Sequence, residues 1–239
     1  MSKDTWMSGG PPVRRLDLGH FVRPASETGT GHARVEEVLG YLVRRPEGLL
    51  LFDTGMGAGD AEVDAHYRPR RRDLTEALAA AGVAPSDLSV VVNCHLHFDH
   101  IGGNPLLAEH RLPVFVQAKE LATARAGDYT LDALVDPPGP PVRYEELDGE
   151  AEIWPGVRLV PTPGHTDGHQ SLVVESPPGT GGGPTVLAGQ AHDFASEFSH
   201  TVLAARTGLV PVDRPWVARL AEFAPQRVLF AHDRAVWTP

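Results

Sequence analysis

The chain alternates short unbroken apolar runs with polar segments rich in glycine and proline. Leu49-Leu50-Leu51-Phe52, by its unbroken apolar run, and Val114-Phe115-Val116 read as buried strands, and Ser89 to Asn93, Val157 to Val160 and Arg227 to Ala231 as further strands. Arg34 to Val43 alternates imperfectly and turns at Arg45-Pro46-Glu47-Gly48. With Leu49 to Phe52 it predicts a hairpin ending at Asp53-Thr54-Gly55. Val13 to Leu18 predicts an edge strand, and Phe21 to His32 a polar loop. Ser171 to Glu175 and Thr185 to Ala188 predict a second hairpin around the Gly-rich stretch Pro177 to Pro184. Helical spacing is clearest over Asp73 to Ala81. Leu74, Ala77, Leu78 and Ala81 mark one face, Asp73 sits at the N-cap with Glu76 three later, and Gly82 follows the end. Shorter helices are expected from Asn104 to His110, from Lys119 to Arg125, and from Pro215 to Phe223 with proline at the start. The helix over Asp73 to Ala81 lies between two apolar strands, so it predicts a crossover to a parallel strand and an α/β fold.

With 239 residues, 41% of them hydrophobic and 22% charged, the chain is long enough for one large domain with a sizeable core. Met1 to Pro12 reads as a loose arm and 13–239 as a single domain. The net charge of −10 argues against a nucleic-acid partner. The run Arg68-Pro69-Arg70-Arg71-Arg72 is taken as a solvated basic face. A single cysteine, Cys94, excludes an internal disulfide. No apolar run has the length of a membrane span, and Lys3 precedes no apolar core of a secretory signal. Cytoplasmic localisation is the expectation.

The chemistry concentrates after Ser89 to Asn93, where His95, His97, Asp99 and His100 follow Cys94. If the strand's period of two continues, His95 and His97 share one side while Leu96 and Phe98 face a core on the other. Asp99 and His100 fall at a turn and approach from a second direction. Imidazole nitrogens with a carboxylate oxygen suit zinc and similar divalent ions. Cys94 alternates with His95 and reads as a buried, inert thiol. Asp53 reads as a carboxylate that orients a ligand histidine. Further histidines close later strands: His165 in Pro163-Gly164-His165-Thr166, and His232 after Arg227 to Ala231. His169 is expected to support site or fold by hydrogen bonding. Ligand types at strand ends along the whole chain predict one site at the sheet edges.

His95-Leu96-His97-Phe98-Asp99-His100 resembles the HxHxDH signature of the metallo-beta-lactamase superfamily. Phe52-Asp53-Thr54-Gly55, Pro163-Gly164-His165-Thr166 and His232 follow in the family's order. Thr162 to Leu172 and Phe230-Ala231-His232-Asp233 are similar to the N-acyl-homoserine lactonase branch. The resemblance implies an αβ/βα sandwich of two mixed β-sheets flanked by helices. It implies two metal positions, one matched by His95, His97 and His165, the other by Asp99, His100 and His232. Zinc is the implied metal, one ion tight and the second weaker, with iron or manganese as alternatives. The implied reaction opens a lactone or other small cyclic ester by a metal-bound hydroxide, with Asp99 binding metal and shuttling a proton to the leaving alkoxide. A thioesterase or glyoxalase-like hydrolase shares the same core.

Two positions depart from the family pattern. The stretch Val186 to Asp193 puts Gln190 where the resemblance implies a bridging aspartate. An amide carbonyl ligates one metal but brings no charge, so two dications about 4 Å apart would lose an anion between them. Asp193, three residues later, is a candidate to compensate. The lactonase branch also places a tyrosine hydroxyl after the bridge to polarise the substrate carbonyl. No tyrosine follows Gln190, which leaves His192 or Asp193 for that task. Gln190 therefore also allows a catalytically poor, metal- or ligand-binding relative.

Overall fold

The computed structural model describes residues 12–239 apart from 128, 129, 178, 180 and 213. The arm expected at the N-terminus lies, except for Pro12, outside the described residues. The chain divides into two compact units, Met1–Phe115 with Thr123–Glu145, and Val116–Ala122 with Glu146–Pro239.

A seven-stranded mixed sheet organises the first unit. Its strands are β1 (Val13–Arg23), β2 (Arg34–Arg45), β3 (Gly48–Phe52), β4 (Arg70–Arg71), β5 (Val90–Val92), β6 (Pro113–Gln117) and β7 (Arg143–Leu147), ordered β4-β1-β2-β3-β5-β6-β7. β1, β2 and β3 form an antiparallel meander, while β3, β5 and β6 run parallel. Helix Leu74–Ala80 belongs to the crossover, as its apolar spacing predicts, and Asp73 Oδ1 accepts the Glu76 N–H at 3.0 Å. Leu74, Ala77 and Leu78 join Leu42, Leu51 and Val91 in one core. A leucine buried this fully contributes about 1.5–3 kcal/mol.

β1 departs from the expected edge strand and loop, since it continues through Phe21 to Arg23. Its register shifts between Asp17 and His20, and β4 pairs there. Gly19, at φ +107°, makes this possible, because a Cβ would sit 2.0 Å from the Arg70 carbonyl oxygen. The basic run is thus partly a strand, and Arg71 pairs with Asp64 instead of facing only solvent. Helix Ala61–Tyr67 was not expected. Asp60 Oδ1 caps it, accepting from the Glu62 and Val63 N–H groups at 3.0 Å each.

The second unit is built on a five-stranded mixed sheet of β8 (Ala151–Trp154), β9 (Val157–Pro161), β10 (Gln170–Val174), β11 (Thr185–Leu187) and β12 (Arg227–Leu229), ordered β12-β11-β10-β9-β8. β10 and β11 form the expected antiparallel hairpin, and β11 and β12 run parallel with Leu187 opposite Leu229. Phe198 and Val202 of helix Ala195–Thr207 and Val217 and Leu220 of helix Pro215–Glu222 pack on Val160, Val173, Val186 and Val228. Among the described residues no helix is long and apolar enough to cross a membrane.

Candidate metal centre

β5 ends at Val92, so His95 to His97 lie in a loop and not on an extended strand, and Phe98–Ile101 is a short helix. Pairing of Phe52 with Val92 brings Asp53 beside Cys94. Asp53 is buried at φ +60°, a region that non-glycine residues seldom adopt. Its contacts explain why it is held there. Oδ1 accepts the Cys94 N–H at 2.8 Å, and Oδ2 accepts the Cys94 S–H at 3.1 Å and lies 3.0 Å from His100 Nδ1. A carboxylate at Nδ1 fixes the imidazole and turns its other nitrogen to a ligand position. His100 Nε2 lies 3.3 Å from Asp99 Oδ2.

Beside this pair, His95 Nε2 is 2.9 Å from His97 Nδ1. The two imidazoles converge as the sequence suggested, but through the loop. Phe98, half-buried, packs against the core of the first unit as expected, although a short helix and not a strand carries it. The first unit therefore presents two donor pairs, His95 with His97 and Asp99 with His100. His95, Asp99 and His100 are buried and His97 is partly so. Burial opposes charge on His100, yet the carboxylates beside it, Asp99 and Asp53, push its pKa well above the usual histidine range. Burial, then Asp53, pushes the Cys94 thiol far up, which keeps it protonated and a poor nucleophile.

His97 and Asp99 also line a cavity of about 320 Å³. Phe21, Val63, Tyr67, Phe98 and Leu131 give it an apolar wall, with Arg23 and Thr130 as polar members. Tyr67 stacks on Phe98 at 5.1 Å between centroids and meets Phe21 edge-on at 5.5 Å. The Tyr67 hydroxyl donates to Glu27 Oε2 at 3.2 Å. Burial and then Glu27 push its pKa up to about 12. Sequence reasoning missed Phe21 and Tyr67. Phe21 was placed in a loop, and Tyr67 ends a helix with no buried residue, which leaves no apolar stripe to read.

In the second unit, Gln190 and His232 each follow the paired residues Leu187 and Leu229 by three positions. The Ala231 N–H donates to the Gly189 carbonyl at 3.0 Å, which ties the two strand ends together. His232 and Gln190 are both buried. His165 sits on the loop after β9, where the Gly164 N–H donates to the Thr166 carbonyl at 2.9 Å. Thr166 Oγ1 in turn donates to Glu120 Oε2 at 2.7 Å. Gly164 abuts Trp216, whose Cζ2 would lie 2.0 Å from an added Cβ. His169 makes hydrogen bonds, as expected. Its Nε2 accepts the Gln190 N–H at 2.9 Å, and its Nδ1 faces Thr162.

His192 and Asp193 both contact neighbouring side chains. His192 Nε2 lies 2.9 Å from Thr201 Oγ1 and Nδ1 lies 3.5 Å from Glu197 Oε2, both on helix Ala195–Thr207. The His192 hydrogen bond holds Glu197 below the usual carboxylate range, against the effect of burial. Asp193 Oδ1 accepts from Gln190 Nε2 at 2.9 Å. Asp233 accepts the Ala195 N–H at 2.9 Å and so anchors the start of the same helix.

The chain belongs to the metallo-beta-lactamase superfamily, whose sequence profile matches residues 33–181 of its 239. Two curated relatives are N-acyl homoserine lactonases. One from a Bacillus species is 32% identical over 175 residues, 68% of this chain and 66% of that protein. The lactonase AiiA of Bacillus thuringiensis subsp. kurstaki is 33% identical over 149 residues, 57% of each chain. This chain thus aligns with less than two thirds of either relative's length. A solved N-acyl homoserine lactone hydrolase, with the product N-hexanoyl-L-homoserine at its catalytic metal centre, matches with a TM-score of 0.74 at 26% identity over 93% of both chains. The expected fold, two mixed β-sheets flanked by helices, is borne out.

The donors fit a divalent metal. Besides the two pairs in the first unit, Gln190 Oε1 is buried and has no hydrogen-bond partner among the described residues. An orphaned buried carbonyl oxygen is costly unless a cation or donor meets it.

Proposed function

We propose that this chain is a zinc-dependent hydrolase that opens a lactone of the acyl-homoserine type or a similar small cyclic ester. The observation that carries the reading is the aromatic-walled cavity of about 320 Å³ that shares His97 and Asp99 with the donor pairs. A volume and lining of this kind suit an acyl chain leading to a polar reacting group. On the superfamily's pattern, His95, His97 and His165 would hold one ion, and Asp99, His100 and His232 would hold the other. When bound, such ions polarise a carbonyl and lower the pKa of water. The chain's own residues supply the remainder. Asp53 fixes His100, while Phe21, Tyr67 and Phe98 take the acyl chain and exclude water. Asp99 passes a proton to the ring oxygen that departs as alkoxide, so water is added across the acyl C–O bond and the product is a hydroxy acid.

Proton release from N-hexanoyl-homoserine lactone, a plain γ-lactone and an acyl thioester, with zinc-loaded protein, tests this. Lactone opening with a silent thioester is the expected result. Thioester turnover without lactone turnover replaces the reading with a thioesterase. Zinc uptake with no turnover would favour the catalytically poor relative, a reading supported by the neutral Gln190.

A further inference from the structure

A glutamine amide offers either end to its surroundings, and in this chain Asp193 decides which. Its carboxylate is acceptor-only when ionised, so the contact at 2.9 Å from Oδ1 requires the NH₂ end of Gln190. A reversed amide would set two acceptor oxygens against each other. The orphaned atom is therefore the carbonyl Oε1, buried and aimed away from Asp193. The backbone is fixed as well. The Gln190 N–H is taken by His169 Nε2 at 2.9 Å, so the imidazole proton sits on Nδ1 and points to Thr162, whose carbonyl oxygen is 3.1 Å away. The preceding turn closes with the Ala191 N–H on the Ala188 carbonyl at 3.1 Å.

We propose that Asp193 is a positioning residue that locks the Gln190 amide with Oε1 presented as a neutral oxygen donor to a divalent cation. The proposal rests on the reading that the chain binds such an ion. Asp193 then compensates for the missing carboxylate by orientation, and its own charge stays one residue removed from the cation.

The test uses the full chain, stripped of metal and reloaded with zinc, with dissociation constants measured by competition against a chromophoric chelator. Asp193→Ala is expected to weaken one zinc constant by about 10-fold or more. Gln190→Leu should weaken the same constant at least as much, and adding Asp193→Ala to it should weaken it no further. Asp193→Asn preserves volume and one acceptor but permits a reversed amide, so it should show a smaller loss, and it serves where the alanine variant does not fold. Melting temperatures of the metal-free variants should stay together. Additive effects, or unchanged zinc constants in both Asp193 variants, overturn the proposal and leave zinc binding standing. An unmodified protein that takes up no zinc overturns both.

Discussion

His100 Nδ1 lies 3.0 Å from Asp53 Oδ2, and both side chains are buried. Asp53→Asn keeps the shape and tolerates the left-handed backbone, but removes the charge that favours the ligating tautomer. The expected result is a loss of about 10- to 100-fold in zinc affinity with little change in melting temperature. Asp53→Ala also orphans the buried Cys94 N–H, and should lose about 1–3 kcal/mol of stability in addition. Chelator competition and thermal melts of both variants separate the two effects. Unchanged affinity in Asp53→Asn would mean that the carboxylate does not act on a metal.

His97 is only partly buried, so its removal should spare the fold. Elemental analysis of zinc-loaded His97→Ala is expected to give less metal per chain than the unmodified protein. Equal stoichiometry would remove His97 from the ligand set.

Tyr67 carries a pH signature. Its phenol ionises at about 12 in the folded chain against the ordinary 10.0, because burial and Glu27 disfavour the phenolate. The neutral phenol is therefore preferred on folding. That stability is complete below about pH 10 and is lost as pH rises toward about 12. Melting temperature should fall less steeply across this window in Tyr67→Phe than in the unmodified protein. Parallel curves would show that the phenol has no coupling to folding.

Gly164→Ala tests the loop that carries His165. The new methyl would start 2.0 Å from Trp216 Cζ2, so ring or loop must move. Overpacking of this kind costs about 1–3 kcal/mol. A lowered melting temperature together with weaker zinc binding is expected. A variant that melts and binds like the parent would show that the indole swings aside freely.

What the sequence disclosed follows from how local the signal is. Leu49 to Phe52 is an unbroken apolar run and Val157 to Val160 is apolar but for Arg158, and both are strands. The helix after Asp73 displays cap and stripe together. The ligand motif was visible because its chemistry is packed into six residues. The helix Ala195–Thr207 was hidden because no side chain caps it locally and its few apolar anchors, Phe198 and Val202, sit among Ser, His and Thr. Its start is held by Asp233, 38 residues away. Phe98 reaches the core as expected, but the strand stops at Val92 and the helix Phe98–Ile101 carries it, so the period of two was right in outcome and not in cause. Which end of Gln190 is left unpaired depends on a side-chain contact that composition alone does not encode.

The equal offset of Gln190 and His232 from a paired Leu187 and Leu229 has a practical side for protein engineering. Their spacing is set by sheet register, and the connection between β10 and β11 enters β11 at its opposite end. Ser176 Oγ donates to the Gly183 carbonyl at 2.6 Å across the base of that connection, which clamps it locally. A reporter peptide or affinity tag spliced between these two residues would have its ends already held together. It would sit at the far end of the strand from the turn that carries Gln190, a port for immobilising the protein with the strand register left intact.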